Sequence, residues 1–139
     1  MRYLLALLLL IGVPAVADDR SPLAPPSLVE RLERTLKGDN KPFTLVTQLY
    51  IRVGTESRFE TAAVNAGSAS LTENGCLAYE FHHDLEKPGH YILIERWTGL
   101  APLRNHLRQR HTKEIQTVFG ELSTTPRTTD ILAPVVGLK

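Results

Sequence analysis

The segment from residue 75 to residue 97 restricts the fold more than any other part of the chain. "GCLAYEFHHD" (75–84) and "HYILIERW" (90–97) are short runs rich in aromatic and aliphatic residues, a composition typical of strands. Between them, "LEKPG" (85–89) contains a Pro-Gly pair that favours a turn. The sequence therefore predicts a β-hairpin, and the other elements have to be arranged around it.

One strand and one helical pattern precede the hairpin. "FTLVTQLYIRV" (43–53) alternates between two sets of side chains with period two, which predicts a strand. From Thr55 the apolar residues recur at helical spacing instead, and most of them are alanines. An alanine-rich stripe indicates a helix that lies close to a sheet.

Helical patterns and a final strand follow the hairpin. Leu100, Leu103 and Leu107 have helical spacing, and Pro102 is tolerated because it falls in the first turn. A further amphipathic segment starts at Thr112. "TTDILAPVV" (128–136) predicts a fourth strand, and its proline favours an edge or terminal position.

The resulting order is strand, helix, strand, strand, helix, strand. We predict an α+β fold of the ferredoxin-like βαββαβ type, with a four-stranded antiparallel sheet that carries its helices on one face. The third strand offers Leu93 and Trp97 to one face and Ile92 and Ile94 to the other, so both faces are apolar at the centre. An open apolar face needs a cover, and a second copy of the sheet would supply it, so we expect a homodimer.

The first 17 residues have the layout of a cleavable secretory signal. Arg2 provides a basic start, residues 4–13 form an apolar run, and Ala15-Val16-Ala17 supplies the small residues of a cleavage site. The run is too short to span a bilayer comfortably, so the alternative of an uncleaved anchor is less favoured. We expect a secreted, periplasmic protein with no stable membrane association after signal cleavage.

Residues 18–41 form a Pro-rich lead-in and a short N-terminal amphipathic helix, and the main domain covers residues 42–139. The helix is predicted from Ser27 and Glu30, which have the spacing of a capping box, and from leucines that follow at helical spacing up to Gly38. This helix is expected to pack on the main domain or on a partner, and to take no part in chemistry.

Charge and cysteine content exclude two classes of protein. Loss of residues 1–17 would remove one basic residue and leave 15 basic and 15 acidic residues, so the mature chain would be neutral. No nucleic-acid partner is expected, because binding would require a basic face. Cys76 is the only cysteine, so the chain cannot form an intrachain disulfide and must be stabilised by core packing.

Two segments resemble the antibiotic biosynthesis monooxygenase (ABM) family. These are "NGCLAYEFHHDLEKPGHYILIERW" (74–97) and "LRNHLRQRH" (103–111), of which the second is similar to the family's histidine-containing helix. The resemblance implies a homodimer whose two sheets close into a dimeric α+β barrel, with a cavity between the sheet and the helices of each subunit. It also implies oxidation of a small aromatic or quinol-like substrate by O2, without a cofactor and without a metal.

Such chemistry needs a base, donors for an oxyanion and a pocket that excludes water. If Trp97 faces the helices, as the resemblance implies, strand alternation puts Tyr91, Leu93 and Glu95 on the same cavity side. The indole of Trp97 would then offer a flat wall for an aromatic ring and one N–H donor. These four residues, with Trp97 as a catalytic residue, form one part of the predicted site.

The two helix histidines are the candidate bases. A neutral imidazole near its usual pKa accepts a phenolic proton at neutral pH, and we assign that role to His111 first and to His106 second. If one helix ran through both, they would lie on adjoining parts of its inner face. Their five-residue spacing would suit a shared metal poorly. The alternative for each is a hydrogen bond to a backbone carbonyl at a helix end.

The role of Glu95 has two alternatives, and Tyr79 and Thr47 are two further predicted substrate contacts. Glu95 is expected either to pair with Arg104, a histidine or an arginine of the partner, which we favour, or to be a base with a raised pKa. Tyr79 is a possible oxyanion donor. Thr47 stands where the haem-degrading branch of the family has an Asn, which makes haem degradation a weaker expectation.

Two alternative functions follow from the same fold. The cavity would serve equally for binding a hydrophobic ligand or haem without turnover, and the chain would also serve as a structural dimer domain.

Overall fold

A computed structural model describes residues 26–38 and 40–135. The signal peptide expected over residues 1–17 lies outside this range. The elements follow the predicted order, with the expected N-terminal helix at the start and the second helical region divided in two. They are α1 (Leu28–Leu36), β1 (Phe43–Tyr50), α2 (Glu56–Ser70), β2 (Cys76–His83), β3 (His90–Trp97), α3 (Leu100–His106), α4 (Arg110–Leu122) and β4 (Thr128–Leu132).

The four strands form one antiparallel sheet in the order β2-β3-β1-β4, which confirms the predicted α+β, ferredoxin-like fold. The β2–β3 hairpin is formed as expected. Glu95 in the middle of the sheet has Leu45 opposite it on β1 and Tyr79 opposite it on β2. Thr47 has Leu93 on one side and Thr129 on the other.

Two strands are shorter than the sequence pattern suggested. β1 ends at Tyr50, since Ile51 makes only an isolated bridge to Ser123 and the chain then turns at Gly54, whose φ is +89°. β4 ends at Leu132 rather than at residue 136. Leu132 already faces Thr44, one residue from the start of β1, so the later residues have little strand left to pair with.

The core lies between the sheet and the helices. Its largest fully buried side chains include Trp97, Phe43, Phe59 and Leu45, which are no more than 1% exposed. Helices α2, α3 and α4 cover this face of the sheet, whereas the opposite face presents the partly exposed Val46, Ile92 and Ile94. Within the described ranges, no helix is long and apolar enough to cross a membrane.

Helix α1 packs on the main domain. Both hydrogen bonds of the Ser27–Glu30 capping box are formed, and Leu32 is fully buried in the core. The guanidinium of Arg31 donates to the carbonyl of Thr129 over 2.8 Å, which ties the helix to strand β4. The short N-terminal helix therefore completes the core on the β4 side of the sheet.

Candidate active site

Strand β3 presents its predicted set of residues to the helices. Tyr91, Leu93, Glu95 and Trp97 are all at most 8% exposed, and the residues between them point to the opposite face. Period-two alternation places them there because successive side chains of a strand leave opposite faces of the sheet.

A cavity of about 70 Å³ lies between this face and helices α1 and α4. Four of the five predicted substrate contacts line it, namely Thr47, Tyr79, Leu93 and Glu95. Apolar side chains from the helices and strands form most of the remaining wall. They are Leu28, Leu49, Phe59, Phe81, Leu107, Ile115 and Phe119.

Glu95 is the ionisable group buried at the sheet side of this cavity. Burial raises the pKa of its carboxyl to about 7, the negative charge of Glu73 adds to the rise, and the Trp97 N–H and the charge of Arg127 oppose it. The expected ion pair with Arg104 is not formed, because Arg104 pairs with Glu33 instead. The raised pKa of Glu95 suits a group that transfers protons near neutral pH, and its pairing with an arginine of a partner subunit stays a prediction.

Trp97 supports Glu95 but does not line the cavity. Its indole N–H donates to Glu95 Oε2 over 3.1 Å, and its ring centroid lies 4.8 Å from that of His106. The indole is fully buried, so it does not offer a free wall to a substrate. What it supplies is orientation of the carboxylate.

The two histidines lie on different helices, because α3 ends at His106 and α4 begins at Arg110. The two histidines therefore do not share one continuous helix, as their placement on one inner face would have required. Both imidazoles point to the carboxylate of Glu73: His106 Nδ1 and His111 Nε2 lie 2.8 and 2.7 Å from its Oε1. Neither histidine lines the cavity, although Thr112, which hydrogen-bonds His106, does.

Tyr91 lies away from this cavity. It lines an open groove of about 450 Å³ between α2 and the β2 edge of the sheet, and its hydroxyl donates to Glu60 over 2.7 Å. Tyr79 and Phe81 stand between the two spaces and line both.

Further polar groups complete the cavity on the β4 side. The hydroxyls of Thr47 and Thr129 lie 2.9 Å apart, so each is already hydrogen-bonded within the protein. Arg127 lines the same region and lies over the ring of Phe119. It brings a positive charge to the β4 side of the cavity.

The sequence interpretation missed Glu73 and Arg127. A signal for Glu73 was present: Cys76 pairs with Trp97 in the hairpin, so the turn before Cys76 has to lie beside the start of the helix that follows Trp97. Arg127 stands in a loop before an edge strand, and no pattern in the sequence indicates which way such a residue points.

Comparison with known proteins agrees with this fold and with the family resemblance. The family model described as antibiotic biosynthesis monooxygenase matches residues 42–118. A search of curated proteins gave no match. Since the family model covers more than half of the chain, the protein belongs to this family.

Solved structures with the same fold include three from different organisms. Rv0793 from Mycobacterium tuberculosis is 22% identical, with a TM-score of 0.65 over 71% of this chain and 100% of that one. A conserved protein from Methanosarcina mazei is 23% identical, with a TM-score of 0.62 over 66% and 90%. SnoaB, a cofactor-independent oxygenase from Streptomyces nogalater, is 19% identical, with a TM-score of 0.61 over 70% and 97%.

Proposed function

We propose that the protein is a cofactor-independent monooxygenase that oxidises a small aromatic or quinol-like substrate with O2. The observation that carries the proposal is a buried carboxyl, Glu95, whose pKa is raised to about 7 at the wall of an otherwise mostly apolar cavity. Family membership supports the reaction class. The fold shared with SnoaB is consistent with catalysis that uses no cofactor.

In this proposal Glu95 is the base. Its carboxylate removes the proton of a phenolic hydroxyl, and the electron-rich anion then reacts with O2. One oxygen atom is added to a ring carbon and the other leaves as water, so that a phenol and O2 give a quinone and water. Glu95 replaces His111 and His106 in the role of base, because it lines the cavity and they do not.

The cavity has to widen before an aromatic ring enters. Its volume of about 70 Å³ is well below the 300–1,000 Å³ typical of small-molecule sites. Leu28 from α1 and Gln116 and Phe119 from α4 line it on the helix side. Rotation of these side chains would widen the cavity without moving the sheet. We therefore expect substrate to enter between α1 and α4.

The decisive test is oxygen uptake by EDTA-treated protein with a panel of quinols and hydroxynaphthalenes. The proposal predicts substrate-dependent uptake that Glu95→Gln abolishes. Glu114→Gln is a matched control, since Glu114 is on the exposed side of α4 and pairs only with Arg110 among its resolved ion pairs. Ligand binding without oxygen uptake would favour a binding protein and overturn the enzyme.

We further propose that the protein is exported and acts as a homodimer. The signal-like sequence of residues 1–17 supports export, and N-terminal sequencing of protein from the periplasmic fraction should begin at Asp18. The partly exposed Val46, Ile92 and Ile94 on the helix-free face support a sheet-to-sheet dimer. Ile94→Asp should then convert a dimer into a monomer in analytical ultracentrifugation.

A further inference from the structure

Three side chains outside the cavity bring together the donors of a metal site. They are Glu73, His106 and His111, and one ligand atom from each lies within 4.8 Å of the other two. The side chains are 10%, 2% and 20% exposed, in that order, so the cluster is largely shielded and is reached from solvent past His111.

Each of the three residues comes from a different piece of backbone. Glu73 lies in the turn between α2 and β2, His106 ends α3, and His111 is in the first turn of α4. The two helices are held at a fixed angle because the Thr112 hydroxyl donates to the His106 carbonyl over 2.7 Å. Because His106 and His111 lie on different helices, their five-residue spacing does not disfavour a shared metal.

The turn that carries Glu73 is also held in place. Gly75 has a φ of +85°, and a side chain there would collide with the ring of Pro102 on α3. The Gly75 carbonyl accepts a hydrogen bond from the amide of Thr98 over 2.9 Å. Glu73 is therefore positioned relative to α3 before any ligand binds.

One oxygen of the Glu73 carboxylate has no visible role. Its Oε1 contacts both imidazoles, whereas its Oε2 is buried without a hydrogen-bond partner among the described residues. A buried polar atom without a partner is destabilising and often marks the position of an ion or water. The orphaned oxygen is thus an independent indication that the cluster takes a ligand.

The donor set suits a divalent ion of the zinc type. Two imidazole nitrogens and one carboxylate are a common set for first-row transition metals, which bind them at about 2.0–2.2 Å. The present spacing of 2.7–2.8 Å would have to open by about half an ångström to place the donors around one ion.

We propose that Glu73, His106 and His111 form a divalent transition-metal site that links the α2–β2 turn to the α3–α4 junction. Water or the second oxygen of Glu73 would complete the coordination. The site is separate from the cavity beside Glu95 and does not depend on the proposed oxygenase reaction. Its role is structural, because it joins three segments that are otherwise held by side-chain packing and a few hydrogen bonds.

The test is a titration of the mature, tag-free, EDTA-treated protein with Co²⁺, followed by displacement with Zn²⁺. We expect one equivalent of Co²⁺ to produce visible d–d absorption and one equivalent of Zn²⁺ to remove it. We also expect Zn²⁺ to raise the Tm of the protein. Absence of both the absorption and the Tm shift would overturn the proposal.

Variants locate the bound ion. His111→Ala and Glu73→Gln should each weaken Co²⁺ binding by more than about 100-fold, since loss even of an outer-shell partner costs 10–100-fold. His82→Ala is the matched control, because His82 is exposed and pairs only with Glu80 among its resolved contacts. Circular dichroism confirms that each variant is folded. Binding that survives in both cluster variants, or is lost in the His82 control, would overturn the assignment.

Discussion

The carboxyl groups of Glu95 and Glu73 differ in what surrounds them, although they lie on opposite sides of the ring contact between Trp97 and His106. Glu95 stands on a central strand beside a mostly apolar cavity, and its one short hydrogen bond within the described residues comes from the Trp97 indole. Glu73 stands in a turn at the end of the sheet and contacts the imidazoles of His106 and His111. The ring of His106 in turn packs against Trp97. The carboxyl of Glu95 faces a cavity, whereas that of Glu73 faces two imidazole rings.

The difference shows how the surroundings decide what a buried carboxyl can do. With one donor and a cavity wall, burial dominates for Glu95 and raises its pKa to about 7, which suits proton transfer at neutral pH. With two imidazoles, Glu73 is suited to hold a fixed position or an ion. The same residue type thus suits proton transfer in one place and fixed geometry in the other.

The largest expected effect is that of Glu95→Gln on turnover. An amide removes the base but nearly preserves shape, so kcat/KM should fall by about 10²–10⁴-fold, the usual contribution of a general base. For the intact enzyme, kcat/KM should rise with pH through about 7 as Glu95 ionises. Stopped-flow or electrode measurements of oxygen uptake across pH 5–9 test both points, and unchanged rates in the variant would remove Glu95 from the mechanism.

The same substitution should stabilise the fold at alkaline pH. Because the pKa of Glu95 is raised on folding from 4.5 to about 7, its protonated form supports the native state at low pH. That contribution is lost as the pH rises from about 4.5 through 7 and amounts to on the order of 3 kcal/mol. Urea denaturation should show that Glu95→Gln is more stable than the wild type at pH 8, and that this difference is much smaller at pH 5.

Glu73→Gln should have the opposite sign. With metal removed by EDTA, the variant loses charge-assisted hydrogen bonds to both imidazoles, so the free energy of unfolding should fall by about 1–3 kcal/mol. At pH 8, Glu95→Gln should raise the free energy of unfolding and Glu73→Gln should lower it. The comparison shows which of the two carboxylates stabilises the fold. Equal signs in the two urea series would mean that the two environments do not differ as described.

Trp97→Phe should have the smallest effect and should act on the link between the two sites. Phenylalanine keeps an aromatic ring beside His106 but lacks the N–H that donates to Glu95. Loss of a hydrogen bond worth about 1 kcal/mol should move the pKa of Glu95 further up, by somewhat less than one unit. The midpoint of the pH–rate profile measures this shift, and a midpoint that moves down would contradict the role given to the indole.

Much of the fold was predictable from local pattern. The hairpin followed from two strand patterns around a Pro-Gly turn, and the shared face of Glu95 and Trp97 followed from period-two alternation along one strand. That this face is the one covered by the helices was implied by the family resemblance. The capping box of α1 was equally local, since Ser27 and Glu30 lie within one turn. The ends of β1 and β4 could not be predicted from local pattern, because a strand ends where its pairing partner ends.

The sequence by itself determined the order of the elements, the central hairpin and the shared face of Glu95 and Trp97, because each depends on residues close together in the chain. Only the tertiary structure decided that α3 stops at His106, that Arg104 pairs with Glu33, and that Glu73 meets both histidines. Those contacts join residues more than 30 positions apart. Their formation depends on how helices α3 and α4 pack against the end of the sheet, which no local pattern encodes.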